Sequence, residues 1–319
     1  MFSVTTQTTI PAIALTGPPD KNIRFLLADL PVVEDTAKAA VVLFHNLLRD
    51  DGHINQTLQQ IAKLHTIKGK PLVVCLLCDY DGRLKLPPNV FLLRTSLQRK
   101  LRHPREYVLP YLFESFDGPF EPAPLSDKPT VGFCGLSNAW RQPLLDAFAA
   151  SPDVQTDFII RHQFWGGKPF DEALMVEFRN NLRNNAYTIA SRGAGNFSMR
   201  FYQALSVGRI PVLLDTDMVL PFEEKIDWNR YIICGKTPET CLERIFNEPP
   251  DPLEVFEMYK SHLQPSVWLE EQMKIIIQKH NNRSPWYRRL LTRGTDAGPE
   301  ASTDEGSAGV EGGASATAS

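Results

Sequence analysis

The fold class is decided most clearly by one run of sequence, Tyr187-Thr188-Ile189-Ala190-Ser191-Arg192-Gly193-Ala194-Gly195-Asn196-Phe197-Ser198-Met199-Arg200-Phe201-Tyr202-Gln203-Ala204-Leu205-Ser206-Val207-Gly208-Arg209-Ile210-Pro211-Val212. The run begins as an apolar strand and passes through a glycine-rich turn into a helix that starts near Ser198. Gly208 ends that helix, and a second apolar strand follows directly. This order is typical of a parallel sheet whose strands are connected by helices.

The turn between the first strand and the helix has the features that a diphosphate group needs. Glycines allow the backbone to approach closely, a polar side chain can cap the helix start, and arginines on either side balance negative charge. The first amides of the helix and its dipole would face the ligand. The candidate residues are Arg192, Gly193, Gly195, Asn196 or Ser198 as the cap, Arg200, and Gln203 for a ribose or sugar hydroxyl. An ordinary glycine-rich turn with solvated arginines remains an equal alternative on spacing alone.

Strands and helices alternate through the rest of the chain. In the first half we predict strands at residues 23–28, 40–44, 72–77 and 90–93, with a helix at 53–68. In the second half we predict strands at 130–134, 156–161, 186–190 and 209–214, with helices at 141–150, 170–181, 198–207 and 266–280. Two parallel sheets covered by helices are therefore expected.

A proline-rich stretch at residues 117–124 separates the two halves and suits neither a helix nor a central strand. We therefore predict an arm or added edge strand at 1–21, a Rossmann-like domain at 22–120 and a second one at 121–282. Residues 283–319 combine a basic segment with an acidic tail rich in Gly, Ala, Ser and Thr, for which we predict disorder.

The run from Tyr187 to Val212 resembles the C-terminal signature of exostosin-like (GT47-like) glycosyltransferases. Its continuation in Leu220-Pro221-Phe222 and Ile226-Asp227-Trp228 strengthens the resemblance. The resemblance implies a GT-B fold, in which two Rossmann-like domains face each other across a cleft. The N-terminal one, residues 22–120, would be the acceptor domain, and the C-terminal one, residues 121–282, would hold the nucleotide-sugar. It also implies a metal-independent, inverting transfer from a nucleotide-diphosphate donor, most often UDP-linked, to a glycan or lipid-linked glycan acceptor. This family usually has a glutamate where this chain has Gln203.

An inverting transfer also needs a base that deprotonates the acceptor. Asp79 and His45 are the candidates, with Asp29 as a third, because each follows a predicted strand of the first half. An ordinary turn or capping role is an alternative for each of them. A fucosyltransferase of similar fold that uses GDP-fucose, and an inactive carbohydrate-binding protein, also remain open.

Three further signals bear on cofactors and partners. Asp215 and Asp217 have the spacing of a metal-binding pair, but they end a strand, where acids commonly serve as turn residues, so we predict no metal site. Cys75 and Cys78 lie in an apolar run and are predicted to be core residues rather than a redox or zinc motif. The globular part is nearly neutral, which excludes a duplex nucleic-acid binder.

The ends of the chain and its hydropathy lead to predictions about localisation. The start lacks a secretory signal and no apolar run approaches membrane-spanning length, so a cytoplasmic protein is expected. The basic segment beginning at Arg283 is interleaved with aromatic residues. It suggests a weak peripheral membrane contact, with a solvated helix end as the alternative.

Overall fold

A computed structural model of the protein describes residues 10–28, 30–50, 52–112, 118–169 and 171–282. The first half contains a five-stranded parallel sheet in the order β1-β2-β3-β4-β5. Its elements are β1 (Ile13–Leu15), α1 (Lys21–Leu27), β2 (Val41–Arg49), α2 (Ile54–His65), β3 (Leu72–Leu77), β4 (Val90–Arg94) and β5 (Glu106–Val108).

The second half contains another five-stranded parallel sheet, in the order β10-β9-β8-β6-β7. Its strands are β6 (Thr130–Leu136), β7 (Gln155–Arg161), β8 (Tyr187–Ile189), β9 (Ile210–Leu214) and β10 (Ile233–Gly235). Its helices are α3 (Gln142–Ala150), α4 (Glu172–Asn184), α5 (Met199–Ser206), α6 (Pro238–Asn247), α7 (Pro252–His262) and α8 (Pro265–Asn281). The predicted α/β fold with two Rossmann-like parallel sheets is confirmed.

One predicted strand is wrong, because residues 23–28 lie mostly in helix α1. Asp20 caps this helix by accepting hydrogen bonds from the amides of Asn22 and Ile23. The helix then buries Ile23, Leu26 and Leu27, a spacing that places all three side chains on one face. The first strand of the sheet is instead β1, which pairs in parallel with β2.

The direction in which strands are added reverses once, within the second sheet. From β6 the chain adds β7 on one side, and after α4 it returns to add β8 on the other side of β6. The loops at the carboxyl ends of β6 and β8 therefore diverge. In open α/β sheets such a crevice is where ligands bind.

Apolar packing is continuous between the two halves. One cluster of buried side chains includes Leu43 and Phe91 from the first sheet as well as Phe133 and Ile189 from the second. The predicted boundary after residue 120 falls between β5 and β6, and the domain division itself stays a prediction.

Among the described residues, no helix is long and apolar enough to cross a membrane. The basic segment and acidic tail of residues 283–319 lie outside the described residues, as does Asp29.

Candidate nucleotide site

Three arginines meet at the carboxyl ends of β6 and β8, where the strand order reverses. Arg141 comes from the loop after β6, Arg192 from the loop after β8, and Arg200 from the first turn of α5. Arg192 and Arg200 were predicted from the sequence, whereas Arg141 was not. Arg141 begins the predicted helix that follows the strand at 130–134, and only the topology shows that this strand adjoins β8.

Arg200 is the most deeply buried of the three, with 8% of its surface exposed. Its guanidinium donates a 2.7 Å hydrogen bond to the carbonyl of Cys134 and lies 4.5 Å from the ring centroid of Phe133. Within the described ranges it has no carboxylate at ion-pair distance, and its Nε has no hydrogen-bond partner. The pKa of Arg200 is lowered to about 9, chiefly by burial and in smaller part by the positive charge of Arg141.

Arg141 repeats this arrangement at the end of the same strand, β6. Its guanidinium donates to the carbonyl of Leu136 at 2.6 Å and to that of Ser191 at 3.1 Å, so it connects the two diverging loops. Burial lowers its pKa as well. The guanidinium groups of buried Arg200 and half-buried Arg141 are bonded, among the described residues, to neutral carbonyls. Their positive charge is therefore not neutralised locally, which favours an anion at this crevice.

Arg192 lies nearer the surface, with 14% of its side chain exposed. Its guanidinium is 3.4 Å from a carboxylate oxygen of Asp81 and 5.0 Å from the ring centroid of Trp140. Asp81 belongs to the loop after β3, so this ion pair joins the first half to the glycine-rich turn. The Nε of Arg192 has no hydrogen-bond partner in the described part of the chain.

The two glycines of the turn have different surroundings. A Cβ on Gly193 would lie 3.3 Å from the Arg141 guanidinium, so this position gives space beside the cations. A Cβ on Gly195 would lie 2.8 Å from a carboxylate oxygen of Asp79 and 3.2 Å from the hydroxyl of Ser96. Gly195 therefore allows the first half to pack against the turn, whereas the sequence pattern predicted only close approach of a diphosphate.

The predicted side-chain cap is wrong for both candidates. Ser198 occupies the N-cap position, but its side chain makes no capping hydrogen bond. Asn196 is fully buried and donates through its amide to the carbonyls of Leu97 and Thr216. Its side chain therefore fastens the turn to both halves, because β4 leads directly to Leu97 and β9 leads to Thr216.

Gln203 lies on α5 and is half-buried. It follows Arg200 by three residues, which places both side chains on the same helical face. Its amide makes no hydrogen bond with another described residue, so it remains available to a hydroxyl. The hydrogen bond predicted from Gln203 to a ribose or sugar hydroxyl stays a prediction.

The two base candidates lie in different places. Asp79 adjoins the glycine-rich turn at Gly195, and its negative charge, after burial, helps to raise the pKa of Tyr111 to about 12. His45 does not follow a strand as predicted but lies within β2, where its Nδ1 is 2.6 Å from the hydroxyl of Thr16. Asp79 is therefore the candidate that the fold brings to the glycine-rich turn.

A buried ion pair holds the loop that carries Asp79 and Asp81. Arg94 and Glu106 are both fully buried, with their side chains 3.2 Å apart, and desolvation raises the pKa of Glu106. The same guanidinium donates to the carbonyls of Tyr80 and Gly82. Arg94 therefore positions the loop after β3 from beneath.

The residues considered for metals or redox chemistry have other partners. Asp215 and Asp217 both lie within 4 Å of the Arg99 guanidinium, at 3.5 and 3.8 Å. In the described part of the chain no group of three or more metal-ligating side chains converges. Cys75 and Cys78 are buried and free, and burial raises their pKa values to about 12 and about 11. Their predicted packing role is confirmed.

Comparisons with known proteins agree with the resemblance. Residues 131–239 match the model of the exostosin GT47 domain. Exostosin-1 of Drosophila melanogaster is 39% identical over 75 residues, which cover 24% of this chain and 9% of that protein. Exostosin-1b of Danio rerio is 37% identical over 59 residues, covering 18% and 8%. The matched part is thus less than a tenth of each of these two relatives.

Among solved structures, the chain is similar to the apo form of the lipopolysaccharide outer core galactosyltransferase WaaB. The alignment covers 87% of this chain and 99% of that one, at 11% identity and a TM-score of 0.36. A TM-score this low does not locate any residue of the site. The family match does cover the switch point and all three arginines, and it confirms the resemblance predicted from the sequence. Residues 131–239 are therefore similar to the exostosin GT47 domain.

Proposed function

We propose that this chain is a glycosyltransferase that transfers a sugar from a UDP-linked donor to a hydroxyl of a glycan or glycoconjugate. The observation that carries the proposal is the cluster of Arg141, Arg192 and Arg200 at the switch point of the exostosin-like domain. A nucleotide diphosphate supplies the two negative charges that these cations lack. Gln203, on the same helix as Arg200, would then face the ribose or the sugar.

The chemistry that follows is a single displacement with inversion. An acceptor oxygen attacks the anomeric carbon while the bond from that carbon to the phosphate oxygen breaks. The departing electron pair becomes negative charge on the diphosphate, which the arginines stabilise without reorganisation because packing already fixes them. The acceptor proton passes to Asp79, the carboxylate at the glycine-rich turn.

Metal independence is part of the proposal. The three arginines offer the positive charge that a divalent cation would otherwise supply. Asp215 and Asp217, the pair that could hold such a cation, share the guanidinium of Arg99. We therefore expect transfer to continue when divalent ions are removed.

A nucleotide-release assay with a panel of UDP-, GDP- and TDP-sugars tests the proposal. We expect UDP release that persists in excess EDTA, and stabilisation by UDP but not GDP in a thermal-shift measurement. Loss of activity in EDTA would contradict metal independence and favour a divalent-cation site at Asp215 and Asp217. Selective stabilisation by GDP would favour the GDP-fucose alternative, and a protein that binds no nucleotide diphosphate would be a binding or scaffold protein of this fold.

A further inference from the structure

A second recess lies beyond the arginine cluster, at the carboxyl ends of β9 and β10. Its volume is about 610 Å³, within the roughly 300–1,000 Å³ of small-ligand sites. Buried apolar side chains form its floor, among them Leu220, Ile226 and Ile232. Polar side chains surround them, so the recess offers an apolar surface bordered by hydrogen-bonding groups.

The charges around this recess do not suit a phosphate. Its walls include the carboxylates of Asp215, Glu223 and Asp227 against the cations Arg99 and Lys236. The Arg99 guanidinium is already shared, because it lies 3.5 Å from both Asp215 and Glu223. An anionic ligand would therefore meet excess negative charge, whereas hydroxyl groups would find carboxylate oxygens that accept their hydrogen bonds.

The recess is connected to the arginine cluster through adjoining loops. Thr216 follows Asp215 in the chain, and its hydroxyl donates a 2.6 Å hydrogen bond to the side-chain oxygen of Asn196 in the glycine-rich turn. A ligand in the recess and a diphosphate at the arginines would thus occupy neighbouring positions at the same edge of the sheet.

We propose that this recess binds an uncharged saccharide, the glycan acceptor of the transfer reaction. The apolar floor packs against the C–H face of a pyranose ring, and the carboxylates and Asn229 bond its hydroxyls. The assignment of this saccharide as the acceptor rests on the proposed function. Its binding in the recess does not.

Saturation-transfer NMR on the full chain tests the proposal with cellobiose, maltose, lactose and N,N′-diacetylchitobiose as probes. Asn229 is exposed, and among the described residues it is hydrogen-bonded through its backbone N–H to Asp227 and through its carbonyl to Arg244. Asn229→Trp should therefore narrow the recess without disturbing the fold. Asn247→Trp, at an exposed position on α6 outside the recess lining, is the matched control.

We expect at least one probe to bind the wild type, and its affinity to fall at least fivefold in Asn229→Trp but not in Asn247→Trp. UDP affinity should be the same in all three proteins. The proposal is overturned if no probe binds, or if Asn229→Trp weakens UDP binding while saccharide binding is unchanged. Failure of UDP to bind the wild type would instead contradict the proposed function. The NMR result with the saccharide probes would still decide whether the recess binds a saccharide.

Discussion

Replacement of Arg200 by methionine should weaken the binding of UDP without lowering the free energy of unfolding. Burial lowers the pKa of Arg200 to about 9, and each pKa unit corresponds to about 1.36 kcal/mol, so its charged form costs the fold on the order of 5 kcal/mol. Methionine removes this cost but leaves the Cys134 carbonyl without a donor, a loss of about 1–3 kcal/mol. Allowing for lost packing on Phe133, we expect the free energy of unfolding to stay constant or rise by up to about 3 kcal/mol.

The same substitution removes a charge that the bound diphosphate needs. A hydrogen bond to a charged group contributes about 1.5–3 kcal/mol, so the Kd for UDP should rise about 10- to 150-fold. A second signature comes from pH. Because burial lowers the pKa of Arg200 to about 9 in the folded chain, well below its value in the unfolded chain, the stability cost is fully present below pH 9 and declines above it. As the pH rises above 9, the free energy of unfolding of the wild type should therefore increase relative to that of Arg200→Met.

Isothermal titration with UDP at pH 7.5, together with urea unfolding, measures both effects. Arg179→Met is the matched control, because Arg179 lies on the exposed side of α4 and pairs with Glu172. It should leave UDP affinity unchanged. Equal Kd values for wild type and Arg200→Met would refute the role given to this charge, and a loss of more than about 3 kcal/mol in stability would refute the account of its burial.

Three further predictions concern the junction between the two halves. Arg94→Met should lower the free energy of unfolding by about 3–5 kcal/mol in urea because it leaves the Glu106 carboxylate buried alone, and adding Glu106→Leu should restore most of that loss. Gly195→Ala should lower the free energy of unfolding by about 1–3 kcal/mol in a thermal melt, since its Cβ would meet the opposite loop at 2.8 Å, whereas Gly118→Ala, with open space around it, should be neutral. Asp81→Asn should tighten UDP binding about two- to fivefold at low salt by freeing the arginine it pairs with, and an unchanged Kd in calorimetry would contradict this.

Much of the fold could be predicted because strands and helices leave distinct apolar periods. The β-loop-α-β unit around the glycine-rich turn follows its local signals almost residue by residue, with α5 at Met199–Ser206 and β9 at Ile210–Leu214. Apolar periods do not distinguish the two elements in every segment, and residues 23–28, predicted as a strand, lie mostly in helix α1. The run Ile23-Arg24-Phe25-Leu26-Leu27 is apolar enough for either element, and the deciding interaction is the cap from Asp20.

The site could be predicted only in part, because its members come from loops distant in the chain. Arg192 and Arg200 were identified from one local run. Arg141 joins them only because β6 lies beside β8, a pairing that no local pattern specifies. Likewise, the roles of Gly195 and Asn196 depend on Asp79, Ser96 and Leu97, which belong to the other half of the chain.

The central claim is that the carboxyl ends of β6 and β8 bind a nucleotide diphosphate. A crystal structure of the protein with UDP tests this claim most directly. We predict phosphate oxygens within about 4 Å of the Arg192 guanidinium, with the nearby loop of Asp81 displaced or its carboxylate turned away. Phosphates located instead in the recess beside Asp215 and Glu223, or anywhere remote from Arg141, Arg192 and Arg200, would contradict the account.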